Sequence, residues 1–142
     1  MAMLHAEIVS PEKRCVTRDV DMVVVPGTEG DIAAMPGRFP IMLQLRGGVV
    51  SLYENGQVVQ RCFVEGGFAD MGADHCTILA DSVRELSDLS GDAARERLSE
   101  LELAWSQLGP DASPIERDDV THKLQVARAE MEAAEQDFSK SV

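Results

Sequence analysis

The sequence predicts an α+β chain in two parts: an N-terminal set of antiparallel β-strands closing as a sandwich or barrel, then a C-terminal antiparallel α-helical hairpin. Three observations carry this. Short β-branched runs separated by turn residues fill the chain from Met3 to about Ala80. The apolar period then changes from two to about 3.6 after Asp88. A Pro-bounded break at Gly109-Pro110 divides the second part into two amphipathic segments.

The strand runs are Met22-Val23-Val24-Val25, Gly48-Val49-Val50-Ser51-Leu52-Tyr53, Val58 to Val64, and Cys76-Thr77-Ile78-Leu79. Pro26-Gly27, Pro36-Gly37, Gly47-Gly48, Asn55-Gly56 and Gly66-Gly67 separate them, each pair supplying turn chemistry. Asn55-Gly56 is the sharpest local signal, because both residues tolerate the positive φ of a two-residue hairpin turn. It predicts antiparallel pairing of Val50–Glu54 with Gln57–Val64.

In the second part, Ala94, Leu98, Leu101, Trp105 and Leu108 recur at steps of four and three, on one helical face. Pro110 ends that helix. Ser113-Pro114-Ile115-Glu116 opens the next: Ser as N-cap, Pro at the first helical position, Glu placed for a capping box. Val120, Leu124, Ala127, Met131, Ala134 and Phe138 repeat the stepping. The helices are expected at about 91–108 and 114–138, with Leu101 and Trp105 facing Leu124 and Ala127. The two parts are expected as domains 1–87 and 88–142.

Composition excludes several function classes. Of 142 residues, 44% are hydrophobic and 27% charged, as in ordinary globular chains. The net charge of −12 opposes phosphate backbones and anionic head groups, which require clustered Lys and Arg. Neither nucleic acid nor direct lipid binding is expected, and a basic protein partner is favoured. No run reaches the ~20 apolar residues that span a bilayer, and the opening MAMLHAEIVSPEKR lacks the order of a signal peptide. Cys15, Cys62 and Cys76 follow no disulfide framework, so reduced thiols in a cytosolic compartment are expected.

Catalytic patterns are wanting. The Gly-Gly pairs lack the Lys-Ser/Thr of a phosphate loop, and adjacent His75 and Cys76 would point to opposite faces of a strand instead of joining Cys62 at one metal. There is no serine elbow and no Cys with a base and orienting acid, while His5, His75 and His122 fall on different elements. Acidic pairs are abundant, as this acidity supplies by chance. No catalytic, metal or cofactor site is expected.

The segment from Pro26-Gly27-Thr28-Glu29-Gly30-Asp31-Ile32 through Ala33-Ala34-Met35-Pro36-Gly37-Arg38-Phe39-Pro40-Ile41 is the most informative. It resembles the signature of the epsilon subunit of bacterial F-type ATP synthase, an EG-acid-apolar run leading to a P-G-H-x-P turn. Val9-Ser10-Pro11-Glu12, Phe63-Val64-Glu65-Gly66-Gly67-Phe68 and Thr77-Ile78-Leu79-Ala80-Asp81 are supporting matches. Arg38 stands for the family's usual His, and Ala33 for a usual Gly.

The resemblance implies a sandwich of roughly ten strands with a helical hairpin behind it. It implies a non-catalytic rotor-stalk protein, peripheral on the cytoplasmic face of the inner membrane, whose sandwich clasps the gamma subunit and rests on the polar loops of the c-ring. Its helical arm would meet catalytic-head subunits. Glu29, Gly30, Asp31, Met35 and Arg38 fall where the family touches the ring. Some members also bind ATP through an apolar-Asp-x-x-Arg-Ala motif, which here becomes Gly91-Asp92-Ala93-Ala94-Arg95-Glu96. Asp92 and Arg95 keep the spacing, whereas Glu96 adds charge where a nucleotide would pack. Two alternatives stand beside the rotor subunit: an ATP-sensing regulator whose hairpin folds on nucleotide, and a coiled-coil adaptor with exposed apolar stripes.

Overall fold

The computed structural model describes residues 3–12 and 14–141, with the backbone alone for residues 14, 15 and 136–141. Cys15 and Phe138, named above, therefore lie outside the described side chains. The chain divides into two compact units, Met1–Leu86 and Ser87–Val142.

The first unit is a sandwich made from one folded sheet. Its strands are β1 (Leu4–Val9), β2 (Arg14–Val20), β3 (Met22–Gly27), β4 (Gly30–Ala34), β5 (Ile41–Leu45), β6 (Gly48–Glu54), β7 (Gln57–Val64), β8 (Gly67–Met71), β9 (His75–Ala80) and β10 (Val83–Glu85). Their order in the sheet is β10-β7-β6-β3-β5-β8-β9-β1-β2, with β4 paired to β3. Pairing is antiparallel with one exception among the described residues: β1 runs parallel to β9. Turn signals in the sequence cannot reveal that pair, because no turn joins strands so far apart in the chain.

Alternation fixes which face is inside. Leu4, Ala6 and Ile8 of β1 point inward between more exposed neighbours, as do Ala69 and Met71 of β8 and Cys76, Ile78 and Ala80 of β9. With Val23, Val25, Val50, Leu52 and Val64 they form one core. Burying each large aliphatic side chain contributes about 1.5–3 kcal/mol. Asn55-Gly56 turns as expected: φ is 54° and 77°, and β6 pairs with β7 from Gly48↔Val64 to Glu54↔Gln57.

The second unit is a helical pair, α1 (Gly91–Ser106) and α2 (Pro114–Ser141). Ser90 caps α1, its Oγ accepting from Ala93 N–H at 3.1 Å. Ser113 caps α2 by accepting from Glu116 N–H at 3.1 Å, as its sequence position predicts. The α1 end differs from the expected 108. Gln107 N–H bonds back to Leu103 and Ala104 and Leu108 N–H to Trp105, a tightening turn ahead of Pro110, which disfavours helical backbone before it. Arg117 ties the connection by donating to the Gly109 and Ala112 carbonyls at 3.1 and 3.4 Å.

The less exposed face of the pair keeps the expected stripe at Ala94, Leu98, Leu101, Leu124 and Ala127, departs from it at Trp105, and adds buried positions on α2. Ala94, Val126, Ala127, Glu130 and Ala133 are buried, whereas Trp105 is 42% exposed. Trp105 is therefore not the central packing residue that its helical spacing suggested. It stands with the exposed Leu103 near the end of α1, before the Pro-bounded turn.

Candidate functional site: two ends and one face of the sandwich

The signature segment is a hairpin with a tail. Thr28 and Glu29 form the tip between Gly27 and Gly30, which are paired in register. Gly30 takes φ +136°, a conformation other residues rarely adopt. A Cβ on Gly27 would lie 2.7 Å from the Gly30 carbonyl, so the strands close only around a bare glycine. Asp31 accepts from Arg46 Nη2 at 2.7 Å, and Arg46 Nε donates to the Gly27 carbonyl at 3.1 Å. Arg46 thus braces the hairpin from the β5–β6 turn, a role that sequence reasoning missed because this arginine lies outside the signature.

Register puts this tip beside other acidic loops. Gly27 pairs with Leu45, Leu45 with Gly67, Gly67 with Ala80, and Val9 with Leu79. Glu12, Glu29, Asp31 and Asp81 are consequently exposed at one end of the sandwich, with Glu65 held by Arg84 at 3.1 Å. The end is rigid in its backbone: Thr28 N–H bonds Gln44, and Asp81 N–H bonds Gly66, both at 3.0 Å.

Met35 and Arg38 lie at the other end of β4, which runs from the Gly30 turn to Ala34 beside Val23. Five strand residues at ~3.3 Å each separate the two groups by about 16 Å. The five candidate contact residues are therefore not one cluster: Glu29, Gly30 and Asp31 share one end, Met35 and Arg38 the opposite one. The Met35–Arg38 turn is shaped by Gly37 at φ +84°, and Gly37 N–H donates to Ala73 of the β8–β9 turn at 2.8 Å. A groove of about 550 Å³ opens here, lined by Ala34, Met35, Arg38, Phe39, Ile41 and Met71 among others. Phe39 is 92% exposed.

A second group of exposed apolar side chains lies on the outer face of β5, β8 and β9, which also carries Asp70. Met42, Phe68 and Leu79 are 70%, 52% and 56% exposed. Phe68 pairs with Leu79 across β8–β9 and with Gln44 across β5–β8, which places Met42 diagonally beside it. One signal could have found this face. Ile41-Met42-Leu43 is apolar at three consecutive positions, so one of them must point outward.

His5 and His75, separate in sequence, are register partners on β1 and β9. His5 Nδ1 lies 2.9 Å from Asp19, and His75 is 3.1 Å from Asp74 and 3.7 Å from Asp70. All are substantially exposed, so each pair contributes little to stability. Cys62 and Cys76 are core residues, and burial, then the nearby Asp70 charge, pushes the Cys76 thiol up to about 12.

On α1, Asp92 and Arg95 meet at 3.4 Å, and Arg95 also reaches Glu135 at 3.9 Å. The guanidinium is thus flanked by carboxylates from both helices.

Comparison with known proteins places this geometry. Residues 3–85 match the family model of the ATP synthase delta/epsilon chain β-sandwich domain. The ATP synthase epsilon chain of Gluconacetobacter diazotrophicus is 54% identical over 134 residues, 94% of either chain. That of Granulibacter bethesdensis is 43% identical over 135 residues, covering 94% of this chain and 98% of the relative. In fold, the chain is similar to one in the Euglena gracilis mitochondrial ATP synthase structure of OSCP, F1 and c-ring, with a TM-score of 0.76 at 18% identity over 94% of this chain and 82% of the other. A chain of the Tetrahymena thermophila mitochondrial ATP synthase central stalk and c-ring gives a TM-score of 0.65 at 12% identity, over 92% of this chain and 96% of the other. No helix among the described residues is long and apolar enough to cross a membrane. The chain belongs to the epsilon-chain family of ATP synthase subunits.

Proposed function

We propose that the chain is the non-catalytic rotor-stalk subunit of the proton-translocating synthase, joining c-ring rotation to the catalytic head through gamma on the cytoplasmic face of the inner membrane. The observation that carries this is the division of the sandwich surface. A coupling element must grip two bodies at once, and this unit has two dissimilar surfaces to do it with. The acidic end bearing Glu29, Gly30 and Asp31 suits the polar loops of a ring, where complementary charge fixes orientation. The apolar face of Met42, Phe68 and Leu79, with the groove beside Met35, Arg38 and Phe39, suits a lasting contact with gamma. Assigning Met35 and Arg38 to the second surface follows from their place at the far end of β4.

The helical arm meets the catalytic head in this reading and restrains hydrolysis weakly. Four of its cations are engaged internally: Arg117 on turn carbonyls, Lys123 on Asp119 at 3.0 Å, Arg95 on Asp92 and Glu135, and Arg97 on Glu130. An arm whose acids outnumber its cations, with four of the cations already committed, gains little from approaching an acidic partner. Removing Ser90 to Val142 is expected to leave ATP hydrolysis by the assembled enzyme nearly unchanged, and a severalfold rise would refute the weak-restraint reading.

Two variants test the surfaces separately. Asp31→Lys should weaken coupling in reconstituted membranes while co-purification with gamma persists. Phe68→Glu with Leu79→Glu should abolish co-purification with gamma while the isolated fold is retained. If either variant behaves like the other, the two-surface assignment is wrong.

A further inference from the structure

The helical pair holds one acid in its buried face. Glu130 is 1% exposed and accepts from Arg97 Nη1 at 2.5 Å across the two helices. The residues that share its burial are small and apolar: Ala94, Val126, Ala127 and Ala133. Alanines bring helix backbones close but supply little area each, and the larger Leu98, Leu101, Leu124 and Met131 are only half-buried, so the fully buried apolar core is thin. A carboxylate removed from water is tolerated only with a partner charge and good hydrogen-bond geometry. Arg97 supplies that charge only while α1 and α2 lie side by side. Closing the pair without Arg97 would bury the acid without its cross-helix counter-charge. The ion pair therefore favours closure.

The nucleotide motif of the family does not take over that work here. A polyphosphate bound at Arg95 would face Asp92 and Glu135, which already flank the guanidinium, and two carboxylates near one guanidinium repel an anion. The Asp92–Arg95 site does not fit ATP. We propose that this chain closes its helical arm through an Arg97–Glu130 latch in place of a nucleotide, so that the closed arm forms without ATP and does not respond to it. The latch rests on the hairpin geometry alone and is independent of which sandwich surface meets the ring.

Amide hydrogen exchange on the full-length chain at neutral pH, read by mass spectrometry, tests this with and without magnesium ATP. Wild-type α1 and α2 peptides should be protected without nucleotide and unchanged when it is added. Arg97→Met, which takes the cross-helix cation away from Glu130, should speed exchange in both helices by about tenfold or more, with the strand peptides unaffected. The double variant Arg97→Met with Glu130→Leu should restore wild-type protection, because an apolar pair then replaces the ion pair. Unchanged exchange in Arg97→Met would overturn the latch. So would a double variant as open as the single one, which would trace the effect to disturbed packing. Slower wild-type exchange on adding magnesium ATP would overturn nucleotide independence.

Discussion

The sandwich and the helical pair are stabilised by different means. In the sandwich, aliphatic side chains from nearly every strand are fully buried, and its ion pairs, such as Arg18–Glu54 and Arg46–Asp31, lie on partly exposed rims. Among the described side chains of the helical pair the buried positions are mostly alanines, the large Leu103 and Trp105 are exposed, and one buried position is an acid paired to a partly exposed arginine. The first unit is consequently a rigid block insensitive to any one charge. The second is a marginal structure whose state a few polar contacts decide. In the proposed role, a subunit that transmits force and also carries an adjustable arm gains from keeping these two physics apart.

Breaking the core should give the largest effect. Leu52→Ala removes a fully buried side chain of β6, and such truncations cost about 2–5 kcal/mol. Chemical denaturation followed by strand-sensitive circular dichroism should register that loss. Trp105→Ala is the matching test in α1. A wholly buried Trp would cost ~3–5 kcal/mol, but with 42% of the residue exposed the loss should fall below that range. A full-sized loss would mean that Trp105 is covered in solution.

Those two residues also mark how far the sequence could be read. Leu52 sits in an alternating run closed by Asn55-Gly56, so local pattern and turn chemistry together determine its face. Trp105 sits on a helical stripe, and a stripe identifies an apolar face without identifying what covers it. Glu130 was illegible for a related reason: periodicity counts an acid as solvated, and its cross-helix partner Arg97 lies 33 positions away. The signature segment was legible as a motif, yet its two ends looked like one site. A strand's length separates them, and that separation becomes visible only once β4 is seen to run between them. The β1–β9 parallel pair, and the register that sets His5 opposite His75, belong to the same class of long-range facts.

The core makes a further, pH-dependent prediction. Cys76 has its thiol raised from 9.0 to about 12. A raised acid is neutral in both states below its unfolded value, so its burial has no pH dependence at neutrality. Above pH 9 the unfolded thiol ionises while the folded one does not, and stability falls until the folded value is reached. At pH 10 that one group should cost about 1.4 kcal/mol. Cys76→Ala should flatten this alkaline slope in urea titrations, and the folded thiol should resist alkylation at pH 8. Ready labelling of Cys76 in the folded protein would contradict its place in the core. Ser113→Ala, which removes the α2 cap, should cost about 1 kcal/mol of helical stability, measured by thermal melting of the helical signal.

The smallest expected effect on stability sharpens the comparison most. Asp31 and Arg46 form the shorter of the two rim pairs, 2.7 Å apart. Yet Asp31 is 64% and Arg46 36% exposed, and exposed pairs contribute only about 0–1 kcal/mol because water and salt screen them. Asp31→Asn should therefore barely move the denaturation midpoint, even though the pair braces the signature hairpin. Arg97→Met alters a pair of similar chemistry whose acid is buried, and its effect on the helices should be far larger. Each variant removes one charge from an Arg–carboxylate pair, and the two pairs differ mainly in their exposure to water. The ratio of the two effects therefore measures how much burial amplifies a charge pair in this chain. Equal effects would mean that Glu130 is solvated in solution. The sandwich and the arm would then be held by the same physics after all.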